Sequence, residues 1–215
     1  MTDSSYLHTT RDGYDAIAVS YAEHFRTGLE SQPFDLAMLG AFARVVQAGG
    51  GGKVLEVGSG PGWVAAHLHG LGVDVSGLDL SPEMVALARR TYPELRFDEG
   101  TMAEIPLADG ALAGLVAWYS LIHIPPALVP AVLTEFHRVL APDAPLLLAF
   151  QIGDEPLHLT EAFGHTIALD FHRLQPDQLA QHLDAAGFTT QATLTREPET
   201  YERTRQGYLL ARRRG

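Results

Sequence analysis

Apolar positions change their spacing along this chain in a regular way. Tyr14, Ile17/Ala18, Tyr21 and Phe25 fall on one helical stripe, and Leu36, Leu39, Phe42 and Val46 on a second. The glycines at 49–52 read as a flexible hinge leading out of these helices. Beyond it, short apolar runs alternate with helical segments. Strands are predicted near 53–58, 73–79, 94–98, 112–119 and 145–151, and helices near 62–69, 82–91 and 127–140. A long irregular stretch at 152–174 precedes a helix over 176–186 that closes at Gly187. Two last strands, near 188–195 and 204–212, complete the count. Such alternation predicts a mostly parallel sheet with helices on both faces, an α/β architecture.

The chemistry concentrates where the first strand ends. Val54-Leu55-Glu56-Val57-Gly58-Ser59-Gly60-Pro61-Gly62 is an apolar strand running into a glycine turn. Glycines let a ligand approach the backbone, and the helix starting at Trp63 points main-chain N–H groups at whatever occupies the turn. The dinucleotide fingerprint is G-x-G-x-x-G, whereas this turn is G-x-G-x-G with Glu56 upstream. Residues 54–82 contain no Lys or Arg, and the acids Glu56 and Asp79 would repel a pyrophosphate. Asp79 ends the second strand (Val73, Val75, Leu78), where a carboxylate can accept both hydroxyls of a ribose. Ser81-Pro82-Glu83 then starts a helix with an N-cap, a first-turn proline and an acid on the positive dipole end.

A ligand with an ammonium, a sulfonium and a sugar diol but no phosphate suits this pattern. The stretch resembles the first motif of the class I, Rossmann-like S-adenosylmethionine-dependent methyltransferases. The resemblance covers about 50–212 and points to the small-molecule type, which includes ubiquinone- and menaquinone-biosynthesis enzymes. It implies a seven-stranded, mostly parallel sheet with the last strand antiparallel, and a methionine-amino partner for Glu56. S-adenosyl-L-methionine is the implied cofactor and S-adenosyl-L-homocysteine the product. The segment 99–107 is similar to the family's adenine side, but Thr101 and Met102 stand where a carboxylate is usual. By resemblance the cofactor contacts Tyr21, Glu56, Gly58, Ser59, Gly60, Gly62, Trp63, Asp79, Leu80, Met84, Thr101, Met102, Ala103, Trp118, Tyr119, Ser120 and His123.

Trp118 to His123 follows the fourth strand, at the carboxyl edge where open α/β sheets bind ligands. There is no Asn/Asp-Pro-Pro-aromatic motif for amino methylation of bases or amides. Nor is there an acid cluster for catechol-type metal chemistry between Gly110 and Val132. What remains is an aromatic wall that can hold a sulfonium and exclude water. His123 is the candidate general base, or a loop histidine contacting backbone or cofactor, with His165 a weaker catalytic candidate. Tyr14, His24, Phe25, Gln151, His165 and His172 are substrate-side candidates, because the N-terminal helices and 152–174 flank the same edge. His67 and His69 lie two apart on a helix and face apart, so no metal site is expected.

Composition narrows the remaining choices. With 215 residues, 46% of them hydrophobic, one core is expected: cap 10–48, cofactor half 50–151, lid-like insertion 152–174 and substrate-side half 175–215. A net charge of −11 argues against nucleic acid and anionic membrane. There is no cysteine, so disulfides and thiolate chemistry are excluded. No signal core or membrane-length apolar run is found, and a cytoplasmic monomer or homodimer acting on a small-molecule acceptor is expected. The rival functions are an NAD(P)-dependent oxidoreductase and a non-catalytic S-adenosylmethionine-binding protein.

Overall fold

Strand β1 (Lys53–Val57) is buried on both faces from Val54 onward, as its unbroken apolar run requires. In the computed structural model, which describes residues 5–26, 29–199 and 202–215, it sits inside a seven-stranded sheet. Parallel neighbours are β2 (Asp74–Asp79) on one side and β4 (Gly114–Trp118) on the other. Strand β3 (Arg96–Glu99) extends the first side, and β5 (Pro145–Gln151) the second, both parallel. Strand β9 (Gln206–Arg213) runs antiparallel between β5 and β8 (Phe188–Arg196), giving the order β3-β2-β1-β4-β5-β9-β8. Strand order reverses between β1 and β4. Ligands of such sheets collect in the crevice beyond the carboxyl ends at that point.

Period-two alternation divides the core. Leu55, Val57, Leu115, Ala117, Leu146, Leu148 and Phe150 face helices α5 (Val129–Val139) and α6 (Pro176–Ala185). Val54, Val116, Leu147 and Ala149 face α2 (Pro33–Ala48), α3 (Trp63–Gly70) and α4 (Pro82–Thr91). Helix α4 starts as its sequence dictates: the Ser81 hydroxyl accepts from the Met84 N–H at 3.1 Å, and Pro82 fills the first turn. Among the described residues no helix is long and apolar enough to cross a membrane.

Two expectations need correction. Residues 152–174 are not irregular: β6 (Leu157–Ala162) and β7 (His165–Phe171) form an antiparallel hairpin. Ile167 and Leu169 are buried, with Leu159 and Phe171 beside them, while His158, Thr160, Thr166 and Ala168 face out. Phe163 and Gly164 make the turn at positive φ (52° and 78°). The apolar hairpin face packs on Ile17, Tyr14 and Tyr21 of α1 (Ser5–Phe25). Approach is close enough that a Cβ on Gly13 would lie 2.7 Å from Leu169 Cδ2. The second correction concerns 49–52, which is a hydrogen-bonded helix end and not a hinge. The N–H groups of Gly49 and Gly51 return to α2 carbonyls at 3.1 and 3.0 Å.

Helix α1 is tied down at two points one turn apart on one flank. The Arg11 guanidinium donates to Glu99 at 2.8 Å, and the Ser81 hydroxyl donates to Asp15 at 2.5 Å. At the opposite end of the sheet edge a buried charge cluster closes the structure. Arg196 donates to both Glu202 oxygens and to the Tyr208 hydroxyl, and lies 3.9 Å from Asp35. The Tyr208 hydroxyl in turn donates to Asp35. Removing a buried partner strands the charges it neutralised. Arg196→Ala is therefore expected to lose roughly 3–5 kcal/mol in urea unfolding. A loss below about 1 kcal/mol, the scale of exposed pairs, would show that water reaches the cluster.

Candidate functional site

Three glycines shape the turn after β1, all at positive φ: Gly58 (67°), Gly60 (51°) and Gly62 (89°). Space forbids a side chain as well. A Cβ on Gly58 would lie 2.3 Å from Ser120 Cβ, and one on Gly62 would lie 2.7 Å from Phe97 Cζ. The Gly58 N–H donates to the Leu78 carbonyl at 2.7 Å. The Gly60 N–H donates to Asp79 Oδ2 at 2.6 Å, and the Ser81 N–H to Asp79 Oδ1 at 2.9 Å. Asp79 thus fastens the turn to the end of β2.

Both acids of the motif are out of water. Burial pushes the Asp79 carboxyl up to about 6, against the pull of the Ser81 and Gly60 N–H groups. Glu56 is 2% exposed and burial raises it well above the ordinary range, with the Ala65 N–H opposing and Asp79 reinforcing. Glu56 Oε2 is buried without a hydrogen-bond partner, as is the Ser59 hydroxyl. A buried acceptor left unpaired costs about 1–3 kcal/mol, so it favours any ligand carrying a donor. The chemistry that suits these groups is an ammonium at Glu56 and hydroxyl donors at Asp79. Both groups occur in S-adenosylmethionine, and the residues present fit it. A pyrophosphate would meet two acids, so the nicotinamide alternative is not favoured.

A cavity of about 610 Å³ opens from the turn along the sheet edge. Tyr14, Tyr21, Phe25, Glu56, Gly58, Ser59, Gly60, Trp63, Asp79, Leu80, Met84, Thr101, Met102, Trp118, Tyr119, Ser120, His123 and Gln151 line it. Five sequence candidates do not. Gly62 caps α3 behind the turn, and Ala103 is exposed. His24 is exposed, its ring against Phe25 and Phe163. His165 is exposed at the turn end of β7 and does not line the cavity. His172 follows β7 with its N–H on the Ile122 carbonyl (2.6 Å), and its side chain alternates away from the cavity. Among the described residues no three His, Asp or Glu side chains gather as a metal site.

His123 is deeply set. Its Nδ1 lies 2.9 Å from the Asp170 carbonyl, which only accepts, so Nδ1 carries the proton. Nε2 is then an acceptor and receives the Tyr14 hydroxyl at 2.8 Å. Rings of Tyr14 and Phe171 meet the imidazole edge-on, at 5.2 and 4.8 Å between centroids. Burial lowers its pKa to about 4.

Several lining residues escape sequence reasoning. Tyr6, Arg11, Arg173, Arg196, Arg203 and Gln206 come from segments without a motif. The absence of Lys and Arg from the motif region does not extend to the whole cavity. Residues 54–82 contribute no cation, but four arginines stand on other walls. For Arg173 a signal existed: it alternates with Phe171, so the two share a side.

The His123 burial has a measurable consequence. Its folded pKa lies below the ordinary 6.5, so its stability contribution is complete above pH 6.5 and lost as pH falls towards 4. Between pH 7 and 4.5 the parent is expected to lose on the order of 2 kcal/mol more unfolding free energy than His123→Gln. Parallel pH profiles for the two proteins would place the imidazole in contact with water.

Comparison with known proteins follows the same line. A family model described as a methyltransferase domain matches residues 54–143. Demethylmenaquinone methyltransferase of Chlorobaculum parvum is 38% identical over 91 residues, 42% of this chain and 37% of that protein. A probable S-adenosylmethionine-dependent methyltransferase of Mycolicibacterium smegmatis is 30% identical over 156 residues, 71% of this chain and 58% of its own. This chain thus spans little more than a third of the first relative's length and over half of the second's. Among solved structures, the DhpI–SAH complex superposes with a TM-score of 0.76 at 23% identity, covering 99% of both chains. Magnesium protoporphyrin IX methyltransferase from Synechocystis PCC 6803, with bound SAM, gives 0.71 at 18% identity, again over 99% of both chains. A sheet with one inserted antiparallel strand, a glycine turn between two buried acids and these relatives agree: residues 54–143 are a methyltransferase domain, and the chain has the class I, Rossmann-like fold of S-adenosylmethionine-dependent methyltransferases.

Proposed function

We propose that this protein transfers a methyl group from S-adenosylmethionine to a small-molecule acceptor held between α1, the β6–β7 hairpin, the carboxyl ends of β4 and β5 and the amino end of β9. The observation that carries the reading is the unpaired, buried Glu56 Oε2 beside Asp79. Glu56 accepts from the amino group, and the lone pairs of Asp79 left over from Gly60 and Ser81 accept from the ribose. Met102, Leu80 and Met84 supply apolar surface for the adenine. When bound, the cofactor supplies a methyl already made electrophilic by its sulfonium. The protein's own part is alignment and exclusion of water.

Tyr21 and Trp63 stack at 5.9 Å with an interplanar angle of 16°, and with Phe25 they wall that end of the cavity. Tyr14 meets the acceptor, and His123 stands behind it. An acceptor hydroxyl donates to the Tyr14 oxygen while the Tyr14 hydroxyl donates to His123 Nε2, a line along which a departing proton moves inward. The Asp170 carbonyl holds the imidazole in the tautomer this needs. His165, exposed on the hairpin, has no part in it.

The reading takes 1–215 as one working unit: cap 10–48, cofactor half 50–151, a lid made by the hairpin within 152–174, and substrate-side half 175–215. It takes the protein as cytoplasmic, a monomer or homodimer, with no nucleic-acid or membrane partner. The net charge of −11 supports the absence of nucleic-acid and anionic-membrane partners, because polyanions are repelled.

Two titrations by calorimetry check the assignments. Asp79→Asn is expected to weaken S-adenosylhomocysteine binding roughly 10- to 100-fold, the scale of lost charge-assisted hydrogen bonds. Equal affinity for variant and parent would remove Asp79 from the ribose. Glu56→Gln is expected to weaken S-adenosylhomocysteine similarly but to leave 5′-methylthioadenosine, which has no ammonium, unchanged. If both ligands weakened alike, Glu56 would be a structural acid and not the amine partner.

A further inference from the structure

The cavity carries more positive charge than methyl transfer from a cationic donor calls for. Its four arginines differ sharply in how they are neutralised. Arg11 is paired with Glu99 at 2.8 Å and lies 3.9 Å from Asp15. Arg196 is enclosed by Glu202, Asp35 and Tyr208. Arg203 is exposed on the rim, where water screens it. Arg173 is half-buried, and among the described residues no carboxylate lies within ion-pair distance of it. Its Nε is wholly buried and bonded to nothing.

Position adds to this. Residue 173 is held between the helical turn after β4 and the end of β5: the His172 N–H donates to the Ile122 carbonyl at 2.6 Å, and the Leu174 N–H to the Gln151 carbonyl at 2.9 Å. Its stem fills the space left by Gly153, where a Cβ would lie 2.7 Å from Arg173 Cδ. The Gln151 side-chain amide lines the same cavity and has no hydrogen-bond partner among the described residues. Around them the wall is apolar: Ile122, Ile124 and Phe171. A guanidinium anchored by its stem, beside a free amide donor on an apolar wall, is a receptor for a planar or tetrahedral oxyanion.

We infer that the methyl acceptor is a small apolar acid whose oxyanion is bound by Arg173, with the Gln151 amide as second donor. This deepens the methyltransferase reading and rests on it. The nearby Arg203 draws anions towards the rim, while the buried contact at Arg173 fixes which end of the acceptor enters first. Carboxylate and phosphonate share the chemistry, and the arms of the test separate them.

The test is calorimetric titration of the full chain with benzoate, phenylphosphonate and the neutral benzamide, with and without saturating S-adenosylhomocysteine. The parent is expected to bind at least one acid 10-fold or more tighter than benzamide, the stronger acid naming the oxyanion. Arg173→Gln is expected to abolish that preference and Arg173→Lys to keep part of it, both retaining the parent's affinity for S-adenosylhomocysteine. Acids that bind no better than benzamide, or a preference that survives in Arg173→Gln, overturn the inference. Failure of the parent to bind S-adenosylhomocysteine would count against the methyltransferase reading instead, since the acid-over-amide preference is read separately in the protein alone.

Discussion

Two carboxylates removed from water without a cation to neutralise them set the terms for this molecule. Glu56 and Asp79 end adjacent parallel strands at the point where strand order reverses, so the fold itself delivers them to one crevice. Their burial would be a pure cost if nothing offset it. Main-chain N–H groups of Gly60 and Ser81 offset part of the cost at Asp79, and the same bonds hold the glycine turn open to a ligand. Glu56 keeps one oxygen unsatisfied. The charge pattern therefore acts on structure and on ligand choice at once: it fixes the turn and it selects donors over phosphates.

The remaining elements can be understood as closing that crevice. Helix α1 crosses its mouth, pinned by Asp15 to the cap of α4 and by Arg11 to the end of β3. The hairpin covers it from the other side and supplies the Asp170 carbonyl that orients His123. The Tyr14–His123 pair then joins the two covers, because its members come from α1 and from the loop after β4. A cavity with one polar relay and, at Arg173, a half-buried guanidinium without an ion pair among the described residues follows from this packing.

Residues that act locally are legible in the sequence. The apolar run at 54–57, the Ser81 cap and the alternation of strand and helix each obey rules spanning only a few positions. The sheet, the turn and both acids followed from them. The hairpin did not, although Leu157, Leu159, Ile167, Leu169 and Phe171 alternate. Its polar face is unusually rich in His and Thr, and its apolar face has no core until α1 lies on it. The glycines at 49–52 looked like a hinge because composition does not reveal the helix carbonyls they satisfy. Among site residues, the histidines were the hardest to place. His165 has the strand period of Ile167 and Leu169 yet is exposed at the turn end of the hairpin, and His123 meets its partners 109 and 47 positions away in sequence. The arginines of the cavity come from distant segments, and only burial and pairing separate Arg173 from the others.

The central claim is that Glu56 and Asp79 receive the cofactor's donors, and that Asp79, lifted by burial to about 6, gives up its proton when they arrive. Calorimetry of S-adenosylhomocysteine binding near pH 6, repeated in buffers of different ionisation enthalpy, counts the protons exchanged. With Asp79 at about 6, roughly half a proton or more should be released on binding, and release should vanish in the Glu56→Gln/Asp79→Asn double variant. Proton uptake, or binding with no exchange in the parent, would contradict the account.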